Sequence, residues 1–98
     1  MRIVEKIELK SFEWDDDKRA RTVRDREINF ADAALALLEP HLEEASDRQG
    51  EARTLALCNI KGEVVAVVYT VREPNCRIIS ARAARRYERR KYREIFGG

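Results

Sequence analysis

Four arginines stand at the ends of strand-like runs in the second half of the chain: Arg53 opens one run, Arg72 closes the next, and Arg77 and Arg82 flank the last. A guanidinium presents a planar fork that donates two parallel hydrogen bonds to phosphate oxygens. Such groups suit the cleavage of RNA by its own ribose 2′-hydroxyl. Negative charge grows on the phosphate oxygens as that bond breaks, and fixed cations stabilise this state more than the ground state. A proton-transfer group helps; Glu51, Asp47, Tyr69 and Tyr92 are the candidates. Each arginine taken singly also fits a solvated surface.

Residues 81–96 are helical in composition and carry Arg82, Arg85, Arg86, Arg89, Arg90, Lys91 and Arg93 against Glu88 and Glu94. Like charges packed over about four turns repel, so a purely structural helix seldom has this composition. It suits a helix that lies along an RNA backbone, with Arg85 as a phosphate contact, or one that docks on an acidic protein segment. A major-groove DNA reader is a third reading, but no helix-turn-helix pairing precedes it. Tyr87 and Tyr92 either stack on bases or belong to the core.

Other chemistries find no support. His41 is the only histidine and no zinc-ligand spacing exists, so neither metal nor cofactor is expected. Asp15, Asp16 and Asp17 sit where a helix starts and suit its dipole better than a metal. No Gly-rich phosphate loop or nucleophile elbow is present. Cys58 and Cys76 lie in strand-like runs outside any C-x-x-C motif and read as buried thiols.

The elements that must hold these residues fit one domain, 1–98. The net charge of +2 hides a division: 9 basic and 14 acidic residues up to Glu51, then 11 basic and 4 acidic after it. The second half therefore faces a polyanion or an acidic partner. No stretch nears the roughly 20 apolar residues of a membrane span. The N-terminus alternates charge with aliphatics, unlike a signal peptide, and the expected setting is cytoplasmic.

Alternation over residues 3–12 predicts a first strand, with Trp14 as a core anchor. A surface helix is predicted over 16–26, with Ala20 and Val23 its clear apolar positions. Asn29 then caps a second helix in which Phe30, Ala33, Ala34, Leu37 and Leu38 recur at helical spacing until Pro40. Residues 41–50 read as a loop. Strands follow over 53–60, 63–71 and 76–81, joined by short turns at Lys61-Gly62 and Glu73-Pro74-Asn75. The run Val64-Val65-Ala66-Val67-Val68 belongs mid-sheet, covered on both faces. Two short connections make an antiparallel meander. That places Arg53, Arg72 and Arg77 at one end of the strands and Arg82 towards the other. The class is α+β, with an antiparallel sheet of about four strands, two helices in the N-terminal half and a basic C-terminal helix.

Several of these segments together resemble the BrnT family of toxins. Phe12-Glu13-Trp14-Asp15 with Lys18, and Ile28-Asn29-Phe30 with Ala31, Asp32 and Ala33, are similar to its opening. Gly50-Glu51-Ala52-Arg53 resembles its Glu-x-Arg entry to a strand. Val67-Val68-Tyr69-Thr70-Val71-Arg72 and Arg77-Ile78-Ile79-Ser80-Ala81-Arg82-Ala83-Ala84 follow its pattern, with Glu88 and Tyr92 in register behind. The resemblance implies a RelE-like fold and metal-independent RNA cleavage that arrests translation. It implies neutralisation by a BrnA-like ribbon-helix-helix antitoxin, in a heterotetramer that touches DNA only through the antitoxin. Carried over by position, Glu51, Arg53 and Arg82 are the catalytic candidates, and Arg72 and Arg77 the phosphate contacts. The family's Asn and Lys-His-Gly between the first two helices are replaced by Thr22 and Asp25-Arg26-Glu27. Arg24 and Arg26 are the available substitutes. A relative that has lost catalysis and only binds antitoxin or nucleic acid is the alternative.

Overall fold

The computed structural model describes residues 1–8 and 11–97. In chain order it contains β1 (Arg2–Val4), β2 (Ser11–Glu13), α1 (Asp16–Arg26), α2 (Phe30–Leu37), β3 (His41–Ala45), β4 (Thr54–Ile60), β5 (Glu63–Arg72), β6 (Asn75–Ala83) and α3 (Arg86–Phe96). The sheet has six strands in the order β1-β3-β4-β5-β6-β2. Strands β3 to β6 form the antiparallel meander, while β2 runs parallel to β6 at one edge.

Local chemistry accounts for both early helices. Asp15 caps α1 by accepting from Lys18 N at 2.9 Å, and Asp16 and Asp17 complement the dipole behind it. Asn29 caps α2 by accepting from Ala31 N at 3.0 Å. Phe30, Ala33, Ala34 and Leu37 turn that helix into the sheet, and Trp14 meets Phe30 edge-on with ring centroids 6.4 Å apart. α1 has no such stripe. Its Val23 is exposed and Thr22 is its one buried residue, as suits a helix at the surface.

The two faces of the sheet bury separate cores. Phe30, Leu37, Ala56, Cys58, Val65, Val67, Tyr69 and Ile78 form the one under α2. Leu42, Leu55, Leu57, Val64, Ala66 and Tyr92 form the one under α3. Strand β5 contributes to both, which is why its apolar run is unbroken. Cys58 and Cys76 are free and buried, and burial pushes each thiol up to about 12. No helix is long and apolar enough to cross a membrane.

Four expectations need correction. The sheet has six strands and is mixed, rather than about four and purely antiparallel. The single strand expected over 3–12 is two short edge strands, β1 and β2; Leu9 and Lys10 lie outside the described residues. The loop expected over 41–50 contains β3, which pairs with both β1 and β4.

Strand β3 lacks a hydrophobic signature because two of its three buried positions, His41 and Glu43, are polar. His41 and Glu43 are buried and bonded to each other, Nε2 to Oε2 at 2.8 Å. Tyr69 also donates to Glu43 at 2.8 Å, Arg2 at 3.1 Å, and His41 Nδ1 meets the Glu39 carbonyl at 2.7 Å. Satisfied polar groups can occupy a core that a hydropathy pattern reserves for aliphatics. The last helix also starts later than expected, at Arg86, because β6 continues to Ala83 opposite Val65.

Candidate active site

A two-residue turn delivers the acidic member of the site. Gln49 (φ 50°) and Gly50 (φ 80°) reverse the chain between Arg48 and Glu51, whose backbones bond to each other at 3.0 and 2.9 Å. Asp47 accepts from Arg53 N at 3.2 Å, and Thr70 donates to the Ala52 carbonyl at 2.7 Å. The start of β4 is thereby tied to the end of β5.

From that footing Glu51 Oε1 accepts from Arg53 Nε at 2.6 Å, and its Oε2 lies 3.8 Å from Arg72 Nη2. Parallel pairing sets Glu13 opposite Arg77, with Nη1 to Oε2 at 3.5 Å. Asp15 and Lys18, from the first turn of α1, complete the wall of a cleft of about 200 Å³. Glu51, Arg53, Arg72 and Arg77 thus converge where β4 begins, β5 ends and β6 begins. Arg53 and Arg77 are about 30% exposed, so both charges are reachable yet partly shielded from water. Such a setting strengthens the hold of a cation on a phosphate.

Arg82 and Arg85 do not join this cleft. Arg82 is five residues further along β6, roughly 15 Å by strand rise, opposite Ala66. It is bound bidentately to Glu88 of α3, at 2.7 and 3.1 Å. Arg85 is the N-cap residue of α3, and its N–H donates to Glu88 at 2.7 Å. Of the other proton-transfer candidates, Asp47 lies beside the cleft at the Arg53 backbone. Tyr69 and Tyr92 are buried, which raises both phenols, and the Tyr69 hydroxyl is given to Glu43. His41, the first residue of β3, is fully buried.

Sequence reading passed over Lys18 as a working group. Burial and the charges of Arg21, Arg53 and Arg26 lower its ammonium from the usual 10.5. Lys18 also lines a second cleft, of about 260 Å³, with Arg21, Thr22, Asp25, Arg26 and Ser80. The signal was in the chain: Lys18, Arg21, Thr22 and Asp25 fall at i, i+3, i+4 and i+7, a polar stripe where a packed helix places apolar residues.

A carboxylate and three arginines thus share one cleft at the ends of adjacent strands, on an α+β scaffold. The chain belongs to the BrnT family: residues 14–88 match the family model described as ribonuclease toxin, BrnT, of type II toxin-antitoxin system. No curated protein and no solved structure matches it. The matched span takes in α1, the Glu51 turn, the meander and the Arg82–Glu88 pair.

Proposed function

We propose that the chain is an endoribonuclease that cuts RNA in the Glu51 cleft without a metal, as the toxin of a type II pair. Glu51 takes the proton of a ribose 2′-hydroxyl, and that oxygen attacks the adjacent phosphorus. The bond to the 5′ oxygen breaks, leaving a 2′,3′-cyclic phosphate, and Lys18 gives the departing oxygen its proton. Arg53, Arg72 and Arg77 hold the phosphate oxygens and supply the positive charge that a metal ion provides elsewhere. The single observation behind this reading is the convergence of Glu51, Arg53, Arg72 and Arg77 on one cleft within a member of a ribonuclease family. Arg82 and Arg85 remain proposed contacts for RNA at the far end of β6, with Arg82 the third catalytic candidate beside Glu51 and Arg53.

Membership in a toxin family supports a wider proposal. The fold is RelE-like, an antiparallel meander flanked by helices. The toxin works in the cytoplasm and arrests translation by removing RNA. A BrnA-like ribbon-helix-helix antitoxin neutralises it in a heterotetramer and provides its contact with DNA. The exposed face of α3, with Arg86, Arg90 and Arg93 side by side, suits an acidic antitoxin segment.

Purified protein should degrade RNA in excess EDTA, and Arg53→Ala and Glu51→Gln should each slow this at least about 100-fold with unchanged circular dichroism. Undiminished cleavage by both variants would sink the mechanism. RNA binding without cleavage by the wild type would favour the inactive binding module.

A further inference from the structure

The arginines around Glu51 are already countered by carboxylates: Arg53 and Arg72 by Glu51, Arg77 by Glu13. The second cleft is different. Among the described residues, no carboxylate oxygen lies within 4 Å of the charged groups of Lys18, Arg21 or Arg26. The one acid lining it, Asp25, is taken by Arg24, whose Nε lies 3.1 Å from its Oδ1 and which does not line the cleft. Three cations thus share a concavity without an ion-pair partner of their own among the described residues, with Asp25 on its wall and Asp15 near Lys18 and Arg21.

The shape has a simple cause. α1 turns its polar stripe towards β6 and cannot close onto the sheet as α2 does, so a gap remains between them. Arg26 is anchored at that gap by donating from Nη1 to the Ala81 carbonyl at 3.0 Å, which leaves its other N–H groups available. Ser80 supplies a hydroxyl from the sheet. Packing like charges around an empty space is unfavourable, and an anion seated there relieves it.

Lys18 belongs to both clefts, so the two are contiguous. We infer that the α1–β6 cleft is a second phosphate subsite, in which Arg21 and Arg26 hold the phosphodiester next to the one cleaved at Glu51. The inference rests on the RNA-cleaving reading of the neighbouring cleft. It gives the positions of the altered Lys-His-Gly segment a role through Arg26, whereas Arg24 points its charge at Asp25. Continuity with the Glu51 cleft favours an RNA chain over an acidic protein segment as the occupant.

Binding and cleavage separate the possibilities. A fluorescent 2′-O-methyl oligonucleotide has several phosphates and no nucleophile, so its anisotropy reports binding whether or not the protein cleaves. Arg21→Ala is the safest variant, because Arg21 is exposed and makes no side-chain bond among the described residues; Arg26→Ala is the second. Each should weaken binding about 5- to 10-fold and reduce the slope of log K against log salt by about 0.7. On RNA substrates each should raise KM by a similar factor, while KM for a dinucleotide with one phosphodiester stays as in wild type. Changed binding with no cleavage by any form would support the subsite and count against the catalytic reading alone. Wild-type affinity and salt slope in both variants would overturn the subsite. So would unchanged RNA binding together with lost affinity for the antitoxin, which would assign the cleft to a protein partner.

Discussion

Arg82 and Glu88 form a two-pronged ion pair that pins the start of α3 to the end of β6, Nη1 to Oε1 at 2.7 Å and Nη2 to Oε2 at 3.1 Å. The Glu88 side chain is 4% exposed, and Oε1 also accepts from Arg85 N at 2.7 Å. Burial on its own pushes that carboxyl up; the Arg82 and Arg85 donors outweigh it and hold it below the usual 4.5.

Removing Arg82 leaves a buried carboxylate without its main partner. Arg82→Ala should therefore destabilise the fold by about 3 kcal/mol, read as a shift of the urea midpoint at unchanged slope. Lost cleavage with stability kept within about 0.5 kcal/mol would instead give the guanidinium a direct role on RNA.

Acid should unfold the protein through two buried carboxyls. Burial pushes Glu43 up as well, but the His41 and Tyr69 hydrogen bonds, with the charges of His41 and Arg2, leave it net lowered. A carboxyl lowered on folding contributes stability above its unfolded pKa, and the contribution fades as pH falls through the folded value. Stability should thus hold at neutral pH and decline below about 4.5. Glu43→Gln and Glu88→Gln, if folded, should each flatten the urea midpoint plotted against pH. An unchanged profile would remove these two groups from the acid transition.

Glu27 carries a left-handed backbone (φ 57°, ψ 32°), a conformation that favours glycine. The turn between α1 and α2 forms at the cost of placing a Cβ in a conformation L-residues avoid. Glu27→Gly should raise stability by about 1 kcal/mol and leave the helix boundaries unchanged. Thermal denaturation decides it; a loss of stability would mean that the side chain contributes something the backbone argument omits.

Gly50 holds φ +80° in the turn before Glu51, with nothing within 4 Å of where a Cβ would stand. The penalty for Gly50→Ala is therefore conformational and about 1–2 kcal/mol. Because the same turn aims Glu51, cleavage should fall further than stability alone explains. Equal activity in conditions where both proteins are fully folded would show that the carboxylate does not depend on the turn.

Much of the architecture could be read along the chain. The bounds of α1 and the start of α2 followed from Asp15, Asn29 and the apolar spacing of Phe30 to Leu37, all local signals. The Lys61-Gly62 turn and the doubly covered β5 were equally plain. Strand β3 was hidden because His41 and Glu43 satisfy each other and Tyr69 inside the core, and no local pattern marks a polar pair whose partner is 26 residues away. Lys18 was overlooked because its neighbours along the chain, Asp17 and Arg19, make it look like one more solvated charge.

By itself the sequence determined the helices, the meander and the family, since capping, periodicity and short turns act over a few residues. It also determined that Arg53, Arg72 and Arg77 lie at one end of three consecutive strands. Only the tertiary structure decided that they share a cleft with Glu51, that Arg82 is committed to Glu88, and that α1 leaves a second cationic cleft beside them. Those outcomes depend on strand register, on the parallel edge strand β2 and on how closely a polar helix face can approach a sheet. All three arise from contacts between residues distant in the chain, where local propensity carries no information.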